Sequence, residues 1–367
     1  MLFKRYNLVI IVFLFPILVY GQDRWNFTNN SYLETNYGYG AIMPHHSSIK
    51  YLLEDHIRTV DIKYVKSSTG EKYWNQLFRY PDFGLGFYRS NLGNNDVYGY
   101  ANAIYGFAKI PVARLVNGSG ISYQIAVGAS YITDCFDINE NYSNLAIGTH
   151  INIYIDFSLH SYIALSEKIG LTNSIRFTHF SNGNIQNPNY GLNIISGSIG
   201  LAYHFNSNYL EKKAMELPKV DSKNEYRITF SGGAKSINHY VEGTYFASSL
   251  IFDYNRVYSL KGKWGVGTDI FFDATYRQES ANTNKNDIVN TDLYQVGAHV
   301  MHDFVMNRLA FTVQLGAYLY APIEPEAPFY SRIGLRYKVN RNWYASMTLK
   351  SHYAIASFIE WGIGYSI

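Results

Sequence analysis

The chain has 367 residues and a formal net charge of +3, with only 16% charged residues but 35 Tyr, 22 Phe and 29 Gly against 9 Pro. So small a positive charge, with no long basic run, excludes nucleic acid as an expected partner. The single cysteine, Cys135, excludes an internal disulfide framework, and the aromatic, glycine-rich balance favours strands.

At the N-terminus, Lys4 and Arg5 precede an apolar run from Leu8 to Tyr20, with Val19 and Gly21 as the small residues before a cut. Residues 1–21 therefore read as a cleaved secretory signal. No later segment approaches the ~18 uninterrupted apolar residues of a transmembrane helix.

Beyond this leader the dominant signal is strict alternation. Ile121, Tyr123, Ile125 and Val127 share one face, opposite Ser122, Gln124, Ala126 and Gly128. Leu309, Phe311, Val313 and Leu315 repeat the pattern, as do Trp343, Ala345, Met347 and Leu349, and finally Ile359, Trp361, Ile363, Tyr365 and Ile367. The alternation predicts sixteen strands, at about 32–42, 56–66, 83–91, 96–110, 119–132, 146–157, 168–181, 192–205, 223–234, 240–254, 257–276, 290–304, 308–320, 329–339, 342–351 and 355–367. Such strands match the roughly 9–11 tilted residues that cross a bilayer, and their polar faces carry the small and charged residues of a lumen. The expected fold is all-β, a transmembrane antiparallel β-barrel of a Gram-negative-type outer membrane. Asn255-Arg256, Asn307-Arg308 and Asn340-Arg341 are expected at three tight periplasmic turns, and 277–289 and 321–328 in longer outward loops.

Residues 207–222 are charged and partly helix-prone, and read as a periplasmic linker. They divide a first eight-strand unit, 30–206, from a second, 223–367. Two arrangements stay open at this point: two tandem eight-strand barrels, or one sixteen-strand barrel with a long periplasmic connection. Only the wide ring would enclose a water-filled lumen and serve as a channel.

The stretch RFTHFSNGN, Arg176 to Asn184, puts polar residues on the apolar face. Ile175 and Phe177 set that face, so parity places His179 and Ser181 on it and turns Arg176, Thr178 and Phe180 inward. In the next strand Ile195, Ile199, Leu201, Tyr203 and Phe205 define the outer face, and parity adds Asn193. Polar groups facing lipid are costly, so they tend to be paired or functional. A histidine beside a serine can take its proton as the oxygen attacks an ester carbonyl, and a third group on the far ring nitrogen fixes the tautomer. Asn193 can be that group, although a neutral amide stabilises an imidazolium less than a carboxylate does. Asn182 and the backbone N–H groups near Gly183 are the adjacent oxyanion donors.

The segment His179 to Asn193, HFSNGNIQNPNYGLN, resembles the signature of the lipid A 3-O-deacylase family and related acyloxyacyl hydrolase-like outer-membrane proteins. His179, Ser181, Asn182, Asn189, Gly191 and the polar position Asn193 carry the resemblance, which spans about residues 30–206. It implies an eight-strand barrel whose Ser-His pair faces the outer leaflet and removes an ester-linked acyl chain from lipid A or a related envelope lipid. It further implies His179 as base, Ser181 as nucleophile, Asn182 at the oxyanion site, and Asn193 where the family has an orienting acidic residue. That replacement keeps a catalytically silent structural or lipid-binding barrel as the alternative. No cofactor is expected, and the sequence leaves the oligomeric state and the role of 223–367 open.

Other groups carry weaker signals. His45-His46 could ligate a metal, but no third ligand stands at suitable spacing, so a polar loop is the expectation. Asp134, Asp137, Glu140 and Asn141 crowd one outward loop, where a divalent cation is conceivable and a solvated loop the default. Gly38, Gly40, Gly84 and Gly86 are expected to ease strand curvature, and Cys135 to be a bystander.

Overall fold

The computed structural model describes residues 27–115, 118–206, 211–220, 223–238, 240–241, 243–278, 289–325, 327–353 and 355–367. The expected secretory signal, 1–21, lies outside the described residues.

Two closed eight-strand barrels form, each antiparallel throughout. The first comprises β1 (Ser31–Ile42), β2 (Ile57–Ser67), β3 (Asp82–Asn91), β4 (Tyr100–Arg114), β5 (Gly120–Ile132), β6 (Ile151–Ala164), β7 (Ile169–Ser181) and β8 (Leu192–His204). Strand β8 pairs back onto β1, from Tyr32 opposite His204 to Ile42 opposite Ile194. The second comprises β9 (Asn224–Lys235), β10 (Tyr245–Ser259), β11 (Gly262–Asp273), β12 (Tyr294–Met306), β13 (Leu309–Tyr320), β14 (Phe329–Lys338), β15 (Trp343–His352) and β16 (Ile355–Ser366), with β16 paired to β9. Closure into two narrow rings decides against the sixteen-strand ring, and with it against the water-filled channel that such a ring would enclose.

The period-2 pattern sorts side chains as the barrel wall requires. In β7, Ile175 is 67% exposed while Arg176 beside it is 1% exposed. Inside the first barrel, Lys63 reaches Glu34 at 2.8 Å and Asp61 at 3.3 Å, and Lys109 reaches Glu34 at 2.7 Å. Arg176 joins Asp61 at 2.6 Å to Asp156 at 3.0 Å. The second barrel is filled likewise: Arg332 bridges Asp269 and Glu360 at 3.1 and 2.5 Å, and Arg227 and Arg336 hold Asp303 at 2.7 and 3.0 Å. These buried charges are tolerable because each of them lies beside one or more of opposite sign.

Several strands lie away from their predicted places, β11 among them, which begins at Gly262 rather than about 257 because β10 runs through that stretch. Strand β10 runs on to Ser259, so Asn255-Arg256 is not a turn: Asn255 points inward and accepts a hydrogen bond from Arg227 at 2.8 Å. Strand β4 starts at Tyr100 because the Asn94 side chain accepts from the Asp96 and Val97 N–H groups and curls that segment into a loop. At its other end β4 continues through Pro111 on a bulge between Pro111 and Ala113. Strand β6 starts at Ile151, because Ala146 and Ile147 are spent as buried loop residues. Asn307-Arg308 and Asn340-Arg341 do form turns. Short helices α1 (Ser47–Tyr51) and α2 (Tyr73–Leu77) occupy the connections after β1 and β2. Residues 211–220 are exposed and not helical, and Lys213 N–H donates to the Thr69 carbonyl at 2.7 Å.

Candidate active site

Strands β7 and β8 are neighbours whose register sets His179 directly opposite Asn193. The inward residues of β7 anchor it: Arg176 holds Asp61 and Asp156, and the Thr178 hydroxyl donates to Asp156 at 2.9 Å. Their outward neighbours His179 and Ser181 are thereby held on the barrel wall rather than in its lumen. Apolar partners surround them, since β6 places Ile155 opposite His179 and Ile153 opposite Ser181. Connections at this end, 43–56, 92–99, 133–150 and 182–191, are all of eight residues or more, whereas at the other end 115–119 and 165–168 are short and only 68–81, which carries α2, is long. Long loops mark the outward end of an outer-membrane barrel.

After Ser181 the chain reverses on two left-handed residues, Gly183 (φ 65°) and Asn184 (φ 68°), which glycine and asparagine tolerate best. The Asn182 N–H donates to Asn189 Oδ1 at 2.9 Å. The Tyr190 and Gly191 N–H groups donate to the Leu145 and Ala146 carbonyls at 3.2 and 2.9 Å. Gly191 has φ +78°, and a Cβ there would lie 2.9 Å from His179 Cε1 and 2.9 Å from the Phe180 carbonyl. Only glycine lets the chain pass this close to the imidazole.

The geometry among the three polar residues is continuous. Asn193 Oδ1 lies 2.6 Å from His179 Nδ1, and His179 Nε2 lies 3.0 Å from Ser181 Oγ. An amide oxygen only accepts, so Nδ1 carries the ring proton and Nε2 offers its lone pair to the serine hydroxyl. A serine with a base on its proton, and a base oriented from behind, is the arrangement that nucleophilic ester cleavage requires.

Comparison with known proteins decides the family. A family model described as lipid A 3-O-deacylase (PagL) matches residues 58–202, and one described as acyloxyacyl hydrolase, C-terminal domain, matches residues 224–367. The chain belongs to this deacylase family. The family is one of ester hydrolases acting on lipid A, and family and barrel fold together place the chain in the outer membrane. No curated protein matches the chain. Among solved structures, engineered variants of the porin of Rhodopseudomonas blastica are similar over 92% of this chain and 99% of theirs. Their identity is 8% with a TM-score of 0.18 for one and 11% with 0.18 for another, and at that TM-score the likeness carries no argument.

The remaining sequence candidates divide differently in space. His45 and His46 are not a metal pair: His45 Nε2 lies 2.9 Å from the Tyr190 carbonyl, and His46 stacks on the Tyr190 ring at 4.0 Å. Among the described residues no group of three or more His, Cys, Asp or Glu could hold a metal ion. Asp137 accepts from the Asn139 and Glu140 N–H groups at 2.8 and 3.0 Å, which holds its carboxyl below the usual range. Asn141 donates to the Val97 and Cys135 carbonyls, so this cluster shapes its own loop. Burial, then the nearby Asp134 and Asp137, push the Cys135 thiol up, away from a reactive thiolate. Gly38 and Gly40 lie in β1, and Gly84 and Gly86 in β3.

One contact escaped sequence reasoning. Asn193 Nδ2 lies 3.2 Å from His45 Nδ1, a residue 148 positions away in the connection after β1. Nothing local in the sequence signals it; only the pairing of β1 with β8 brings the two together.

Proposed function

We propose that the chain cleaves an ester-linked acyl chain of lipid A with Ser181 as nucleophile, His179 as general base and Asn193 as the residue that orients His179. The observation that carries this reading is the unbroken chain Ser181 Oγ, His179 Nε2, His179 Nδ1, Asn193 Oδ1 on the lipid-facing wall. His179 takes the serine proton as Ser181 Oγ attacks the ester carbonyl. The oxyanion then meets Asn182 and the N–H of Gly183, since the Asn182 backbone N–H is engaged by Asn189. Protonated His179 returns the proton to the departing alcohol, and water on His179 releases the fatty acid from the acyl-enzyme.

The site's position suits such a substrate. Acyl chains can remain in the leaflet while the ester reaches Ser181 at the outward end of β7, so no deep pocket is needed. Asn193 in place of a carboxylate is the observation that favours a catalytically silent barrel. Release of free fatty acid by the purified full chain from lipid A in mixed micelles separates the two. Release that disappears in both Ser181→Ala and His179→Ala, with each barrel still folded, supports the esterase; release that persists in either removes that residue from the mechanism.

A further inference from the structure

We infer that His45 is a positioning residue, which selects the end of the Asn193 amide that faces His179. The inference rests on the esterase reading of Ser181 and His179. A carboxylate behind a catalytic histidine accepts from either oxygen, but an amide has an accepting end and a donating end of nearly the same shape. With Oδ1 toward His179, the ring proton sits on Nδ1 and Nε2 is free to take the serine proton. With Nδ2 toward His179, the amide donates, the ring proton moves to Nε2, and the histidine can no longer act as base toward Ser181. Replacing an acid by asparagine therefore creates a two-way choice that the site must resolve.

His45 resolves it through hydrogen bonds of fixed sense. The Tyr190 carbonyl, 2.9 Å from His45 Nε2, only accepts, so His45 carries its proton on Nε2. Its Nδ1 is then a lone pair, and the Asn193 group 3.2 Å away must be the donor, Nδ2. That leaves Oδ1 facing His179 Nδ1 at 2.6 Å. The Tyr190 carbonyl is itself held, since His46 stacks on the Tyr190 ring at 4.0 Å and an interplanar angle of 6°, and the Tyr190 N–H donates to Leu145. The order of protons thus runs from a backbone carbonyl, through His45 and Asn193, to the base.

Two readouts test the assignment. In the full chain with uniformly 15N-labelled histidine, in detergent micelles, His179 is expected as the Nδ1–H tautomer, identified by loss of its signals in His179→Ala. In His45→Ala the same ring is expected to show a mixture of tautomers. In the hydrolysis of lipid A micelles, His45→Ala is expected to lower kcat roughly tenfold with little change in KM, the signature of a misoriented base rather than lost substrate binding. Against an Asn193→Asp background, where both ends accept, His45→Ala is expected to cost less than about twofold. A His45→Ala protein with unchanged tautomer and unchanged kcat overturns the assignment while leaving Ser181-dependent turnover intact. Turnover that survives Ser181→Ala sinks the esterase reading instead, and the tautomer populations still decide the role of His45.

Discussion

In the first barrel the register of the seventh and eighth strands sets His179 opposite Asn193, whereas the seventh and eighth strands of the second barrel set Leu349 opposite Ile359. The interiors do not differ in this way. Both are closed by buried arginines that bridge carboxylates from facing strands, Arg176 in one and Arg332 in the other. The barrel as a folding unit therefore needs its inward polar residues, and the proposed chemistry is an outward addition at three positions. Inward and outward residues alternate along a single strand, so β7 serves both purposes at once.

The largest effect expected from breaking this contrast is on turnover. Ser181→Ala or His179→Ala should lower kcat at least about 10³-fold, since triad members act as a unit. Leu349→Ala, in the seventh strand of the second barrel, should leave fatty-acid release within about twofold. A comparable loss in Leu349→Ala would show that the second barrel shares in the chemistry.

Inward substitutions should reverse the pattern. Arg176→Ala leaves Asp61 and Asp156 without their shared guanidinium, and Arg332→Ala does the same to Asp269 and Glu360. Each should cost about 3–5 kcal/mol, the range for breaking a buried ion pair from one side. Urea titration of each variant, followed by tryptophan fluorescence in detergent, would read the shift in midpoint. Equal stability of variant and parent would mean that water or a neighbouring base replaces the lost charge.

Gly191→Ala sharpens the comparison at the loop. Its methyl group would meet both the His179 ring and the Phe180 carbonyl, in a backbone conformation that alanine adopts poorly. Displacing the base by a few tenths of an ångström should reduce kcat roughly 10- to 100-fold with the barrel still folded. The smallest expected change is a gain: Asn193→Asp should raise kcat by about tenfold, because a carboxylate stabilises the imidazolium that forms. A fall in rate on that change would contradict the proposed place of Asn193 behind His179.

Much of this was legible in the sequence because a barrel wall translates parity directly into direction. Ile175 and Phe177 were enough to put His179 and Ser181 outside and Arg176 inside, and the structure has them there. Counting along β8 from Ile195 likewise brought Asn193 to the same face. What failed was the position of turns. Asn255-Arg256 reads as a turn by composition, but Asn255 is held as an interior residue by Arg227, a partner 28 positions away. Ala146 and Ile147 extend the alternation of β6, yet they are buried in a loop stapled by Asn144, which donates to the Val97 and Asp134 carbonyls. His45 was invisible for the same reason: its role depends on a non-local pairing, and its local sequence reads only as a polar loop.

The most direct test of the central claim is mass spectrometry of lipid A from outer membranes containing the full chain, Ser181→Ala, or neither. The account predicts that the full chain removes one ester-linked acyl chain, and that lipid A from the Ser181→Ala membranes matches lipid A from membranes lacking the protein. Identical lipid A in all three, with the barrel folded and inserted, would contradict it, as would the same acyl loss in the presence of Ser181→Ala.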